Sequence, residues 1–342
     1  MIFSVVLFVL SSQLACFASQ QRPLSPRASE RQLFCKNYDE ADFETIINGK
    51  EECKTKFNFD ASKMLGSGTS GTVYLGHTRT TPRKPVAFKV VNIYSNDPGK
   101  FSQLESLKKE IRLLSVLNHK NIMQFLGAFS LQEQSESRGC PVKRFVFFLE
   151  FMENGTLEKY SRLCPEYEED LLMDNVRKVM RGVVSALVYL HGRNIIHRDI
   201  KPANIMIDTD YEGKLIDFGY STEPSMEPVS PEARCGSPLY LAPEVVDYKT
   251  PCGVKADIWA FGITLWSLFD NPLPGHQNWR YHDLTLRLMT RNPNRPETAS
   301  AVGNLPGFDA DLDEVLRQCT LSDQNERASA QDLADSNFFK TQ

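Results

Sequence analysis

The stretch HRDIKPAN, His197–Asn204, follows a run with helical periodicity over 168–191 and leads into another apolar segment. A plain turn has no use for an imidazole, a guanidinium, a carboxylate, an ammonium and an amide within eight residues. After twelve intervening residues, Asn204 is followed by a second short constellation, Asp217-Phe218-Gly219, directly behind the strand-like KLI. What this density of polar groups means depends on what lies at fixed distances upstream.

Upstream, residues 65–73 read LGSGTSGTV: Leu65, Gly66, Ser67, Gly68, Thr69, Ser70, Gly71, Thr72 and Val73. Glycines at 66, 68 and 71 let the backbone turn tightly and approach phosphate oxygens with no Cβ in the way. Alone, the pattern fits a Gly/Ser-rich hairpin equally well. A dinucleotide site needs a helix directly after the glycines, whereas TVYLG is β-branched and strand-like. Eighteen residues after Gly71 stands Lys89, ending VAFK. A lysine within an apolar strand is costly to bury without a partner, and Glu110, in the helical pattern FSQLESLKKEIRLLSVL (101–117), is the candidate. Each alone reads as a solvated surface charge; with the glycines they fit a clamp on phosphates.

Glycine loop, strand lysine, helix glutamate, HRDIKPAN, DFG and Ala242-Pro243-Glu244 stand in the order and approximate spacing of the eukaryotic protein kinase family, serine/threonine type. The chain resembles that family over about residues 59–340. The resemblance implies an α+β, bilobal fold: a small β-rich N-lobe with one main helix (59–153) and a larger, mainly helical C-lobe (154–340). The residue patterns agree. Strand-like runs at 61–66, 72–77, 85–93 and 145–151 come first, and helical runs at 168–191, 253–269, 281–290, 309–319 and 329–339 follow.

The resemblance also implies ATP and Mg²⁺ as cofactors and transfer of the γ-phosphoryl group to Ser/Thr hydroxyls of protein substrates. It assigns Asp199 to the substrate hydroxyl's proton, Lys201 to the transferring phosphoryl group, and Asn204 and Asp217 to the metal ions. Lys89, oriented by Glu110, would hold the α/β-phosphates. The nucleotide would meet residues 65–73, Ala87, the gatekeeper Leu149, and the backbone of Glu150 to Met152. His197 and Phe218, with Leu114 and Phe125, would form an apolar column. Arg198 suggests control by phosphorylation of the segment after DFG, with Ser221, Thr222, Ser225 and Ser230 as candidates. Ser237 matches the position whose hydroxyl contacts the catalytic aspartate; Glu244, Arg327 and Asp257 match structural partners. The sequence departs from the family in the long loop between Ser130 and Arg144, where Cys140–Pro141 has no evident role, and in FDNPLPGHQNW after 269. A catalytically dead scaffold of the same fold is disfavoured because no motif is degraded. A tyrosine-directed kinase is disfavoured by Lys201.

The remaining features bound the setting. The chain has 342 residues, 41% hydrophobic and 24% charged, with net charge −4, which gives no support to nucleic-acid binding. Residues 1–18 form an uncharged, largely apolar leader with small residues at Ala15 and Ala18, as in a cleaved signal peptide directing the chain to the secretory pathway. Arg22, Arg27 and Arg31 just beyond it suit the alternative: a membrane anchor with the kinase domain in the cytosol, the one case in which the chain would contact a membrane. Residues 19–58 read as a polar linker, within which 39–47 has the pattern of a short docking helix. The eight cysteines contain no CxxC pair, and only Cys35 and Cys53 suggest a local bridge. Asn154-Gly155-Thr156 is a glycosylation sequon at the expected hinge, which argues modestly against a lumenal domain.

Overall fold

The computed structural model describes residues 46–47, 49–58, 63–68, 71–135, 138–163, 169–222, 236–247, 252–269 and 310–340. The leader, Cys35, Thr69, Ser70, Ser225, Ser230 and the helical pattern at 281–290 lie outside them. The chain forms two compact units, one ending at Phe151 and one running from Met152 onward.

The first unit is an antiparallel sheet with one long helix. In chain order it comprises α1 (Lys50–Lys56), β1 (Phe57–Asn58), β2 (Met64–Gly68), β3 (Gly71–Thr78), β4 (Pro85–Tyr94), α2 (Lys100–Val116), β5 (Phe125–Gln134) and β6 (Pro141–Glu150). The sheet order is β1-β3-β4-β6-β5, with β2 also paired to β3. Alternation along β6 decides the packing. Phe145 and Phe147 share one cluster with Ile93, Leu107, Ile111 and Ala128. Val146 and Phe148 point the other way, with Val86, Phe88, Phe129, Cys53 and Phe57. Helix α2 carries Leu107, Ile111 and Leu114 at helical spacing on its buried side, together with Glu110.

Three expectations need correction here. Residues 130–144 are not a long loop: β5 runs on to Gln134, β6 begins at Pro141, and Gln134 pairs with Pro141. Cys140, in the turn, is buried and donates from Sγ to Asn96 Oδ1 at 3.2 Å. The linker reading fails at its C-terminal end. Residues 46–47 are helical, α1 follows, and β1 pairs with β3. Alternating charges in KEECKTK look solvated, and most are; Cys53 is the one residue α1 buries. That cysteine is a free thiol donating to Ala128 O at 3.8 Å rather than half of a bridge.

The second unit contains α3 (Leu157–Leu163), α4 (Glu169–His191), the hairpin of β7 (Ile205–Ile207) and β8 (Gly213–Leu215), then α5 (Pro243–Asp247), α6 (Lys255–Phe269), α7 (Ala310–Cys319), α8 (Ala330–Ala334) and α9 (Asn337–Lys340). Helix α6 is apolar nearly all round, as a helix buried on every side must be, and Ile258, Trp259, Phe261, Ile263 and Leu265 are all enclosed. Val179, Met180, Val183 and Leu187 form the buried stripe of α4. The single helix expected over 329–339 is two: a Ser329–Asp332 capping box opens α8, and Ser336 Oγ donates to Leu333 O at 2.7 Å where it ends. Among the described residues no helix is long and apolar enough to cross a membrane.

Candidate active site

In the first unit, β2 and β3 fold back as a hairpin that pairs Gly66 with Val73, Ser67 with Thr72 and Gly68 with Gly71. Thr69 and Ser70, between the two strands in sequence, lie outside the described residues. The three glycines are there for different reasons. Gly71 has φ +129°, and a Cβ there would lie 2.6 Å from Val90 O, so the fold itself demands glycine. A Cβ on Gly66 or Gly68 would project into open space, leaving the backbone bare for a ligand.

On β4, Lys89 pairs in register with Val73 and Phe147, and Ala87 with Leu75 and Leu149. The Lys89 ammonium donates to Glu110 Oε1 at 3.0 Å, with both side chains about nine-tenths buried. It also lies 5.4 Å from the centroid of the Phe147 ring, a contact the sequence did not suggest. Glu150, the last residue of β6, accepts from Gln124 N at 2.7 Å through Oε1.

In the second unit, HRDIKPAN is a loop held by its backbone. Asp257 at the start of α6 is fully buried and accepts from His197 N at 2.8 Å and Arg198 N at 2.9 Å. His191, in the last turn of α4, donates to the same carboxylate at 3.0 Å; sequence reasoning missed this partner, whose one signal is its place just ahead of the loop. Burial pushes the Asp257 carboxyl up, but the His191 hydrogen bond, the electrostatic influence of the two nearby imidazoles and the His197 backbone N–H outweigh this and hold it below the usual range. His197 Nε2 donates to Ile216 O at 3.1 Å and its Nδ1 accepts from Asp199 N at 3.3 Å, which fixes its tautomer. Its ring meets Phe218 edge-on at 4.9 Å. Arg198 sits at φ +67° and Asp217 at φ +64°, left-handed conformations that side chains adopt only when neighbours hold them.

Asp199, 3% exposed, is the centre of the site. Its Oδ2 accepts from Lys201 Nζ and from Asn204 Nδ2, both at 2.7 Å. Its Oδ1 accepts from Ser237 N at 3.0 Å and Ser237 Oγ at 2.9 Å. Lys201 Nζ donates to Ser237 Oγ as well, at 2.7 Å, closing a triangle of ammonium, hydroxyl and carboxylate. Gly236 makes this approach possible: at φ +106°, a Cβ there would lie 2.4 Å from Arg198 O.

Asn204 also donates from Nδ2 to Asp199 O at 2.9 Å. Its amide nitrogen is thus spent on Asp199, and the amide oxygen is the atom it has to offer. With the Asp217 carboxylate this makes an all-oxygen donor set, which suits a hard divalent cation.

Other expected residues fall differently. Ser221 is 0% exposed and donates to His197 O at 3.4 Å, so it is not an accessible phosphorylation site. Thr222 bridges to Ile196 through its backbone. Arg198 Nε donates to Tyr220 O. Glu244 and Arg327, by contrast, fall as expected: they form a buried bidentate pair at 2.7 and 3.0 Å. The sequon's Asn154 donates from Nδ2 to Asp208 O at 2.6 Å, tying its turn to the β7–β8 hairpin, and Thr156 Oγ1 accepts from Lys159 N at 3.3 Å at the start of α3.

The chain matches the family described as Protein kinase domain over residues 59–339, and it belongs to that family. It is 30% identical over 285 residues to mitogen-activated protein kinase kinase kinase 5 of Arabidopsis thaliana, covering 81% of this chain and 36% of that one. Mitogen-activated protein kinase kinase kinase 3 of the same plant is 33% identical over 279 residues, with coverages of 75% and 43%. CBL-interacting protein kinase 11 of Oryza sativa subsp. japonica is 28% identical over 284 residues, with coverages of 82% and 51%. The chain thus spans between about a third and half of the length of these curated relatives.

Proposed function

We propose that the chain is a serine/threonine protein kinase that transfers the γ-phosphoryl group of ATP to Ser/Thr hydroxyls of proteins, with Mg²⁺ as its metal. The observation that carries this reading is the Lys201–Asp199–Ser237 triangle. The Ser237 hydroxyl donates to the carboxylate, the contact an attacking alcohol needs, and the Lys201 ammonium stands beside both, where charge on a transferring phosphoryl group would develop. Family membership and the names of the relatives, several of them serine/threonine kinases, support it.

In this mechanism the acceptor hydroxyl gives its proton to Asp199 as its oxygen bonds to the γ-phosphorus, and the bond from that phosphorus to the β-phosphate oxygen breaks. Lys201 stabilises charge developing on the transferring group. Lys89, held by Glu110, and the bare backbone of Gly66 and Gly68 would fix the other phosphates, while Asn204 and Asp217 would hold the metal. Bound Mg²⁺ would neutralise charge on the phosphate oxygens. Most of the rate gain is positioning and electrostatics rather than covalent chemistry.

The test is ³²P transfer from ATP in Mg²⁺ to a Ser/Thr-rich protein, followed by phosphoamino-acid analysis, for wild type, Lys89→Met and Asp217→Ala. Phosphoserine or phosphothreonine from wild type alone is expected; equal incorporation by all three would overturn the mechanism. For location we propose entry into the secretory pathway, supported by the leader's pattern. The intact mass of the chain from a eukaryotic host, with residues 1–18 present or absent, decides between secretion and anchoring.

A further inference from the structure

Residues 46–58 have no part in the reaction as proposed, yet they are built into both faces of the first unit's sheet. Ile47 is 2% exposed in the cluster that contains Leu107 and Ile111 of α2 and Phe147 of β6. Leu107 and Ile111 flank Glu110 in the helix, and the Phe147 ring carries the Lys89 ammonium. The chain then rounds the outer strand β5 at Gly49, where a Cβ would lie 3.3 Å from Ala128 O. On the other face, Phe57 stacks on Phe148 with centroids 4.5 Å apart, and Arg79 N donates to Lys56 O at 2.8 Å.

Helix α2 needs outside support at its N-terminal half. Its N-cap, Gly99, supplies no side-chain hydrogen bond, its first turn has no acidic residue, and Phe101 is 73% exposed. Besides the Asp97 carboxylate, which accepts from Gly99 N at 2.8 Å and Gln103 Nε2 at 3.2 Å, that half is held by packing, with Leu104 and Leu107 in the same cluster as Ile46 and Ile47.

We propose that residues 46–58 are a strap that holds α2 against the sheet, and that Ile47 is a positioning residue for the Lys89–Glu110 pair. The proposal rests on the phosphotransfer reading for its kinetic consequence, and on geometry alone for its structural one. When the apolar wedge is removed, α2 moves off the sheet, Glu110 leaves Lys89, and the lysine no longer aligns phosphates.

The experiment compares full-length wild type, Ile47→Ala, Ile47→Val and Phe57→Leu. Phe57→Leu thins packing on the face away from α2 and leaves Ile47 in its cluster with α2. Backbone hydrogen exchange over 104–114, KM for ATP and kcat are measured for each. Ile47→Ala is expected to speed exchange in α2 at least tenfold and to raise KM for ATP or lower kcat at least tenfold. Ile47→Val should shift both in the same direction by less, and it serves if the alanine variant does not fold. Phe57→Leu should lower the melting temperature without changing α2 exchange. Unchanged α2 exchange in both Ile47 variants, or equal acceleration in Phe57→Leu, would overturn the strap. Absence of phosphotransfer by wild type would overturn the kinase reading instead, and the exchange measurement would still decide the strap.

Discussion

Replacing Asp257 tests how the catalytic loop is held. Its carboxylate accepts from the backbone N–H groups of His197 and Arg198 and from His191. In Asp257→Ala two enclosed N–H groups lose their acceptor, at about 1–3 kcal/mol each, so the expected loss of stability is roughly 4 kcal/mol. The left-handed Arg198, φ +67°, is then no longer held and can relax, releasing strain of about 1–2 kcal/mol and carrying Asp199 with it. Asp257→Asn keeps one acceptor oxygen but turns an NH₂ toward a second donor, for a loss of about 2 kcal/mol. Urea unfolding followed by tryptophan fluorescence reads this directly, since Trp259 and Trp266 share α6 with Asp257. Turnover at saturating ATP should fall at least about tenfold in the alanine variant, the equivalent of ~1.4 kcal/mol in the barrier.

The same residue sets an acid limit. Because its folded-state pKa is depressed, its contribution is complete above the unfolded value near ~4 and is lost as pH falls through the lower folded value. The Asn variant should therefore lose less stability than wild type over that range. A loss below about 1 kcal/mol in Asp257→Ala would refute the orphaned-donor argument. A large loss with full turnover would refute the coupling to Asp199.

Two further outcomes follow from the site and the strap. Ser237→Ala removes a hydroxyl bonded to both Lys201 and Asp199; at about 1.5–3 kcal/mol for a charge-assisted bond, kcat should fall roughly 10- to 100-fold with KM for ATP unchanged, and steady-state kinetics with a peptide substrate checks it. Burial pushes the Cys53 thiol up to about 11, so only about one thiol in a thousand is ionised at pH 8; iodoacetamide should label Cys53 in urea but not in the native chain, as peptide mass spectrometry would read.

The chemistry was more legible in the sequence than the architecture around it. Singly, Lys89, Asp199, Lys201, Asn204 and Asp217 read as surface or turn residues, but the ordered set of motifs that holds them has no cheaper explanation, and the structure gathers Asp199, Lys201 and Asn204 within hydrogen-bonding distance. Strand β5 was not legible because Gly127, φ +147°, interrupts its alternation where the register shifts, and its far end, Leu131–Gln134, is largely polar. The strap was hidden by its charges. Ion pairs Lys54–Glu51 and Lys56–Glu52 decorate the outer side of α1, and a single cysteine marks the inner side of that helix. Ser221 reads as a phosphorylation candidate because burial by a carbonyl from a distant loop leaves no trace in local sequence.

The Glu244–Arg327 pair has a consequence for synthesis. Its partners are 83 residues apart, so at ribosomal rates of about 5–20 residues per second Glu244 waits roughly 4–17 seconds for its arginine. During that interval the segment holding Ser237 precedes a carboxylate that cannot be enclosed without its counter-charge. The nascent second unit must keep this carboxylate in water until nearly its last helix is made. A stop codon after residue 244 and before residue 327 would leave it there, with the motifs around Asp199 all present in the polypeptide.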